Sequence, residues 1–140
     1  ADSVWSRNSN GDIYNNNSSG RVGINNPNPQ ADLDVAGFTK LGPASPSIKM
    51  VRVNGTMPGS NSSVSTNTGI PDGKVLDVMV TATDGVNGVV APLTSLLGGV
   101  LSGFEYDYTL KNGVLTVKTT LLNSLNIIGK PYKAVIIYEE

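Results

Sequence analysis

Apolar residues along this chain recur in short groups spaced two positions apart, between polar and turn-forming residues. In GRVGINNPNPQADLDVAG, residues 20–37, Val22 and Ile24 form one such pair and Leu33 and Val35 form a second. This spacing places both members of a pair on one face of a β-strand. The two prolines between the pairs lack an N–H and cannot continue a ladder. The pattern predicts two very short strands with too little apolar surface to stand alone.

The first 45 or so residues are rich in Asn, Ser, Gly and Pro, a composition typical of turns and linkers. Small apolar groups nevertheless recur about every ten residues, which predicts short strands joined by turns. A segment of this length is near the lower limit at which a lone chain buries enough surface to fold. We therefore predict that this segment packs against something outside itself.

The segment GPASPS, residues 42–47, marks a boundary between two patterned regions. Beyond it, many short alternating strands predict an all-β domain over residues 48–140, an antiparallel β-sandwich or jelly-roll. Residues 74–84 place four apolar side chains on one face of a strand, namely Leu76, Val78, Val80 and Ala82. The last strand is predicted to be central, because Val135, Ile136 and Ile137 offer apolar side chains to both faces.

The clearest hairpin is FEYDYTLKNGVLTVKT, residues 104–119. Its first strand alternates apolar with polar residues and places four large side chains on one face: Phe104, Tyr106, Tyr108 and Leu110. Asn112 and Gly113 fit a two-residue type I′ turn, since both residue types tolerate positive φ.

Composition excludes several kinds of chemistry. The 140 residues include no Cys and no His, so thiol nucleophiles, disulfides, thiolate metal sites and an imidazole base are all absent. The net charge is −1 and the basic residues are scattered, which argues against nucleic acid as a partner. No apolar run approaches the ~18 residues of a membrane span, so membrane insertion is not expected. We predict no enzyme, no catalytic residue, no metal and no cofactor.

Two sequence features could still carry chemistry, and each has a simpler explanation. Glu105 and Asp107 could form the carboxylate pair of a glycoside hydrolase, but they fit better as the solvated face of an amphipathic strand. Gly20 and Gly23 lack the Lys and Ser or Thr of a phosphate-binding loop. A glycine at position 23 instead favours close approach of another backbone segment.

A second segment also lacks a covering partner. Residues 88–101, GVVAPLTSLLGGVL, are apolar, flanked by glycine and too irregular for one strand. With the N-terminal pairs, this makes two regions that need a partner, and the simplest partner is another copy of the chain.

The spaced elements of the first 37 residues resemble a module of phage tail fibres and of long trimeric surface adhesins of bacteria. They follow the order Trp5-Ser6, Gly11-Asp12-Ile13-Tyr14, Gly20-Arg21-Val22-Gly23-Ile24, Pro29 and Leu33-Asp34-Val35-Ala36-Gly37. The chain departs from the module at Asn25-Asn26, where Gly-Thr is usual. More loosely, residues 130–140 resemble the terminal strand of head domains that often follow this module.

The resemblance implies a homotrimeric fibre, extracellular, on a virion tail or a bacterial surface. Residues 1–42 would be its stalk and trimerisation module, a short intertwined β structure of three chains, and residues 48–140 would be the head at its tip. Val22, Ile24, Leu33 and Val35 would then be buried against their counterparts in the other two chains. The leading hypothesis is a receptor-binding or adhesive tip whose ligand is a glycan or another surface polymer. Alternatives are a purely structural trimerising cap and, less favoured, a polysaccharide depolymerase. Exposed aromatic and amide or carboxylate side chains would suit a sugar, and the candidates are Tyr132, Asn61, Asp84 and Asn87.

Overall fold

The computed structural model describes residues 5–7, 9–10, 13–15, 20–86, 88–92 and 103–140. The chain divides into two compact units, Ala1–Ser47 and Ile48–Glu140. Within the described residues there are twelve β-strands and a single short 3₁₀ helix, Asp72–Lys74, so the prediction of an all-β protein is confirmed.

The first unit contains five short strands. They are β1 (Trp5–Arg7), β2 (Ile13–Asn15), β3 (Val22–Ile24), β4 (Leu33–Val35) and β5 (Thr39–Lys40). Strands β1 and β2 pair antiparallel, whereas β3 and β4 pair parallel.

The second unit is an antiparallel β-sandwich of two sheets. Its strands are β6 (Ser47–Thr56), β7 (Ser63–Asn67), β8 (Val75–Asp84), β9 (Gly88–Val90), β10 (Tyr106–Lys111), β11 (Val114–Thr119) and β12 (Pro131–Glu139). In the main sheet β6, β12, β8 and β9 lie side by side in that order, and in the smaller sheet the order is β10, β11, β7. The terminal strand β12 pairs with both β6 and β8, which confirms its predicted central position.

The core lies between the two sheets. Val80, Ala82 and Ala134 contribute to it from the main sheet, and Leu115 and Val117 from the smaller one; all five are fully buried. These residues alternate with half-buried or exposed neighbours along their strands, as expected for a sheet with one face on the core.

The predicted hairpin forms as expected. Asn112 and Gly113 have φ values of 52° and 72°, the two positive values that a type I′ turn requires. The carboxylate of Asp72 accepts hydrogen bonds from the backbone N–H groups of both turn residues, at 2.9 and 3.2 Å. These two N–H donors hold the pKa of Asp72 below its ordinary value.

One of the four side chains predicted to share a face of β8 is not buried with the others. Leu76 is about half exposed, although Val78, Val80 and Ala82 face the core as predicted. Ile137 pairs with Asp77 and Tyr138 with Val75, so the register shifts at Leu76. Such a bulge interrupts the strict alternation of faces on which the prediction depended.

Two tyrosines of β10 join the sheets by hydrogen bonds. The hydroxyl of Tyr106 lies 2.7 Å from the carbonyl oxygen of Val80 and 2.9 Å from that of Val90, and donates its hydrogen to one of them at a time. The hydroxyl of Tyr108 donates to the carbonyl of Val78 at 2.9 Å. Burial raises the pKa of Tyr106 above its ordinary value, so the hydroxyl stays protonated and able to donate.

Replacing Tyr106 with Phe keeps the ring but removes this donor. Because it removes a hydrogen-bond donor from a buried carbonyl oxygen, Tyr106→Phe should lower the free energy of unfolding by about 1–3 kcal/mol. Urea unfolding beside the parent and Glu105→Gln, a change at an exposed side chain, measures the difference. A Tyr106→Phe midpoint equal to that of the parent would show that the hydroxyl does not stabilise the sandwich.

Candidate functional site

The four residues predicted to meet other chains form a two-stranded parallel ladder. Val22 pairs with Leu33 and Ile24 with Val35. Ile24 is 49% exposed and Leu33 is 63% exposed, while Val22 and Val35 are half-buried. The ladder therefore brings the four apolar side chains together without covering them.

Side-chain hydrogen bonds hold the connection between these strands. The guanidinium of Arg21 donates to the carbonyl oxygen of Pro29 at 3.0 Å, and the carboxylate of Asp34 accepts from the backbone N–H of Gln30 at 2.9 Å. Asn25 adopts a φ of 54°, the left-handed region that asparagine tolerates better than most residues. The exposed apolar pairs thus lie on a locally fixed backbone.

Gly23 has a specific steric role in this ladder. A Cβ atom at this position would overlap the carbonyl oxygen of Asn26. This overlap agrees with the interpretation of Gly23 as a site of close backbone approach.

Among the predicted ligand residues, Tyr132 is a core residue, and its assignment to a ligand is wrong. Its side chain is 1% exposed, and it pairs with Gly55 on β6. A Cβ on Gly55 would overlap the phenol ring, so the ring lies over the glycine. A sugar cannot stack on this ring. The glycine inside the pattern of β6 is the sequence signal that indicated such an approach.

Asp84 is also too buried for the predicted role. It is 5% exposed, and its carboxylate lies 3.9 Å from the Nζ atom of Lys130. Asn61 is exposed, with a φ of 49°, and its backbone N–H donates to the carbonyl of Thr120 at 3.3 Å. Asn87 lies outside the described residues. Only Asn61 of the described candidates is therefore available to a ligand.

Sequence reasoning missed an apolar surface at the same end of the sandwich. We call this the loop end; it contains Asn61, the turn after β8 and residues 120–130. Several of its large apolar side chains are exposed, namely Val86, Leu121, Leu122 and Leu125. No regular spacing identifies them in the sequence, because they lie in irregular segments.

A buried hydroxyl anchors this loop. Ser124 is fully buried; its hydroxyl accepts the N–H of Thr120 at 2.7 Å and donates to the carbonyl of Glu105. The side chain of Ile127 is fully buried in the core. The exposed leucines therefore lie on a segment that the buried side chains of Ser124 and Ile127 hold in place.

The predicted apolar segment 88–101 falls partly on β9. There, Val90 is buried and Val89 is exposed, while residues 93–101 lie outside the described residues. Glu105 and Asp107 are both exposed, as the solvated-face interpretation predicts. The described part of the chain holds no group of three or more carboxylates suited to a metal ion. In the same ranges, no helix has the length and apolar character needed to span a bilayer.

Comparisons with protein-family models, with characterised proteins and with solved structures found no match to this chain.

The clash at Gly23 gives a direct test of the ladder. Gly23→Ala should destabilise the β3–β4 pair by about 1–3 kcal/mol, because the new methyl group overlaps a backbone carbonyl. Hydrogen exchange of residues 20–36 should become faster in this variant. Gly37→Ala is the matched control, since a Cβ there meets no atom within 4 Å. Equal exchange in both variants would contradict the assigned role of Gly23.

Proposed function

We propose that three copies of this chain form the tip of an extracellular fibre, on a virion tail or a bacterial surface. The tip attaches to a glycan or another polymer on a second cell. The proposal draws on the resemblance of the first 37 residues to fibre modules and on the uncovered apolar surface of both units.

The observation that carries the proposal is the exposure of Ile24 and Leu33 on an ordered ladder. Removing large aliphatic side chains from water is favourable, and on a fixed backbone this free energy is gained only if another surface covers them. A cyclic assembly of identical chains covers all copies equally. The fibre modules that this segment resembles assemble as trimers, which favours three copies over two.

The ligand surface of this proposal is the loop end. Asn61 offers an amide that can hydrogen-bond to hydroxyl groups, and Leu121 and Leu122 offer apolar contact beside it. Carbohydrate-sized sites commonly combine a few polar groups with apolar surface.

A purely structural cap is the second candidate. The burial of Tyr132 and Asp84 favours it, because two of the four residues predicted to contact a ligand are inaccessible.

Assembly through the β3–β4 pair is tested by the double variant Ile24→Ser and Leu33→Ser. In a trimer, the substitution at each position removes three buried side chains. At about 2–3 kcal/mol for each side chain, the trimer should lose roughly 6–9 kcal/mol of stability per position, or half of that in a thin stalk. Limited proteolysis should then cleave residues 1–41 faster than in the parent. The matched control is Leu41→Ser, which changes an aliphatic residue of the same unit that is 75% exposed. Equal cleavage of the double variant and the parent would contradict a shared stalk core.

Ligand binding is tested on a glycan array with the assembled protein. We expect a defined set of glycans to bind, and Asn61→Ala to weaken that binding at least tenfold because the amide hydrogen bonds are lost. Thr109→Ala, on the exposed face of β10, should bind as the parent does. An array with no bound glycan would favour the structural cap, and unchanged binding by Asn61→Ala would exclude Asn61 from the site.

A further inference from the structure

The main sheet has an outer face, directed away from the sandwich core. In β12, Ala134 and Ile136 are buried in the core, so Val135 and Ile137 lie on the opposite face. The residues that pair with these two lie on the same face: Met50 and Asp77 beside Ile137, and Arg52 and Met79 beside Val135. The exposed Lys133, two positions before Val135, also lies on this face, beyond the apolar group.

The centre of this outer face is apolar and uncovered. Met50 is 63% exposed and Met79 is 54% exposed, while Val135 and Ile137 are half-buried. Four adjacent apolar side chains across three neighbouring strands form a contiguous patch, a feature typical of interaction surfaces.

Two opposite charges flank the patch on different strands. Arg52 lies on β6 and Asp77 lies on β8, with the central strand between them. Both side chains are exposed, and within the described ranges neither forms a salt bridge. From the strand spacing and the rise per residue, their Cα atoms are about 12 Å apart.

We propose that the outer face packs against the outer face of another copy of this chain, with Arg52 of one copy beside Asp77 of the next. The inference rests on the proposed homotrimer and identifies its contact surface in the head. Rotation about an axis parallel to the strands brings the β6 side of one copy to the β8 side of its neighbour. The two residues are offset by about 7 Å along the strands, which the long arginine side chain can span.

The charges beside the patch indicate that its partner is another copy of the same chain. An apolar patch with a cation on one side and an anion on the other is complementary to a rotated copy of itself. The methionines and β-branched residues between the charges then cover one another and leave water. A neutral polymer would leave both charges without a partner.

Charge reversal in the full chain tests this contact. Arg52→Glu and Asp77→Lys each place like charges together in every interface of the ring. Each should raise the dissociation constant of the assembly more than tenfold, measured by light scattering over a dilution series. The double variant, Arg52→Glu with Asp77→Lys, recreates an opposite pair and should restore assembly.

Substitutions in the apolar centre of the patch test the same contact without changing its charge. Met79→Ser should weaken assembly as the single charge reversals do, whereas Leu122→Ser, also exposed but at the loop end, should not. The thermal unfolding midpoint of each variant is measured over a series of protein concentrations and extrapolated to low concentration. A cooperative transition there shows that the single chain still folds.

The results of these experiments distinguish failure of this contact from failure of the proposed trimer. Weakening by the single reversals and rescue by the double variant support the contact. If every variant assembles like the parent, or if the double variant fails to rescue, the contact is wrong while a trimer held by the β3–β4 pairs still stands. A parent protein that is monomeric throughout the dilution series would overturn both.

Discussion

The head domain depends on the pairing of its last strand between two others. Strand β12 pairs with β6 from Pro131 to Glu139 without interruption and with β8 from Tyr132 to Tyr138, with one bulge at Leu76. Without it, β6 and β8 share no ladder and the main sheet divides in two. These pairings connect residues far apart in the sequence, so the chain gains them only after closing long loops.

The central position of β12 also connects the core to the outer face. Ala134 and Ile136 pack inward, while Val135 and Ile137 lie on the other side of the same strand. A central strand with apolar residues on both faces is usual where both faces are covered. In the single chain only one face is covered, and this asymmetry is the physical reason for assigning the other face to a second copy.

The sequence predicted those parts of the fold that local chemistry controls. Asn112 and Gly113 identified the hairpin because few residue pairs accept positive φ at both positions, and the apolar run in β12 identified the central strand. Leu76 was assigned wrongly because a bulge is not visible in a pattern of alternation. The parallel pairing of β3 and β4 could not be predicted, since the pattern identified the strands but not their direction relative to one another.

Fewer residues of the candidate site were predicted correctly, because the sequence pattern does not report whether an individual side chain is buried. An aromatic residue such as Tyr132 suits a sugar-binding surface and a core equally well, and only its partner Gly55 distinguishes the two. Val86 and the exposed leucines, Leu121, Leu122 and Leu125, lie in irregular segments, where periodicity carries no information about burial. Arg52 and Asp77 are unremarkable in the sequence; only the register of β6, β12 and β8 places them on opposite sides of one apolar patch.

We propose that identical chains cover the apolar surface that one chain leaves exposed. Sedimentation equilibrium of the full chain at low micromolar concentration tests it most directly. We expect a single species with three times the 14.6 kDa mass of one chain. A stable species of 14.6 kDa across the concentration range would contradict it.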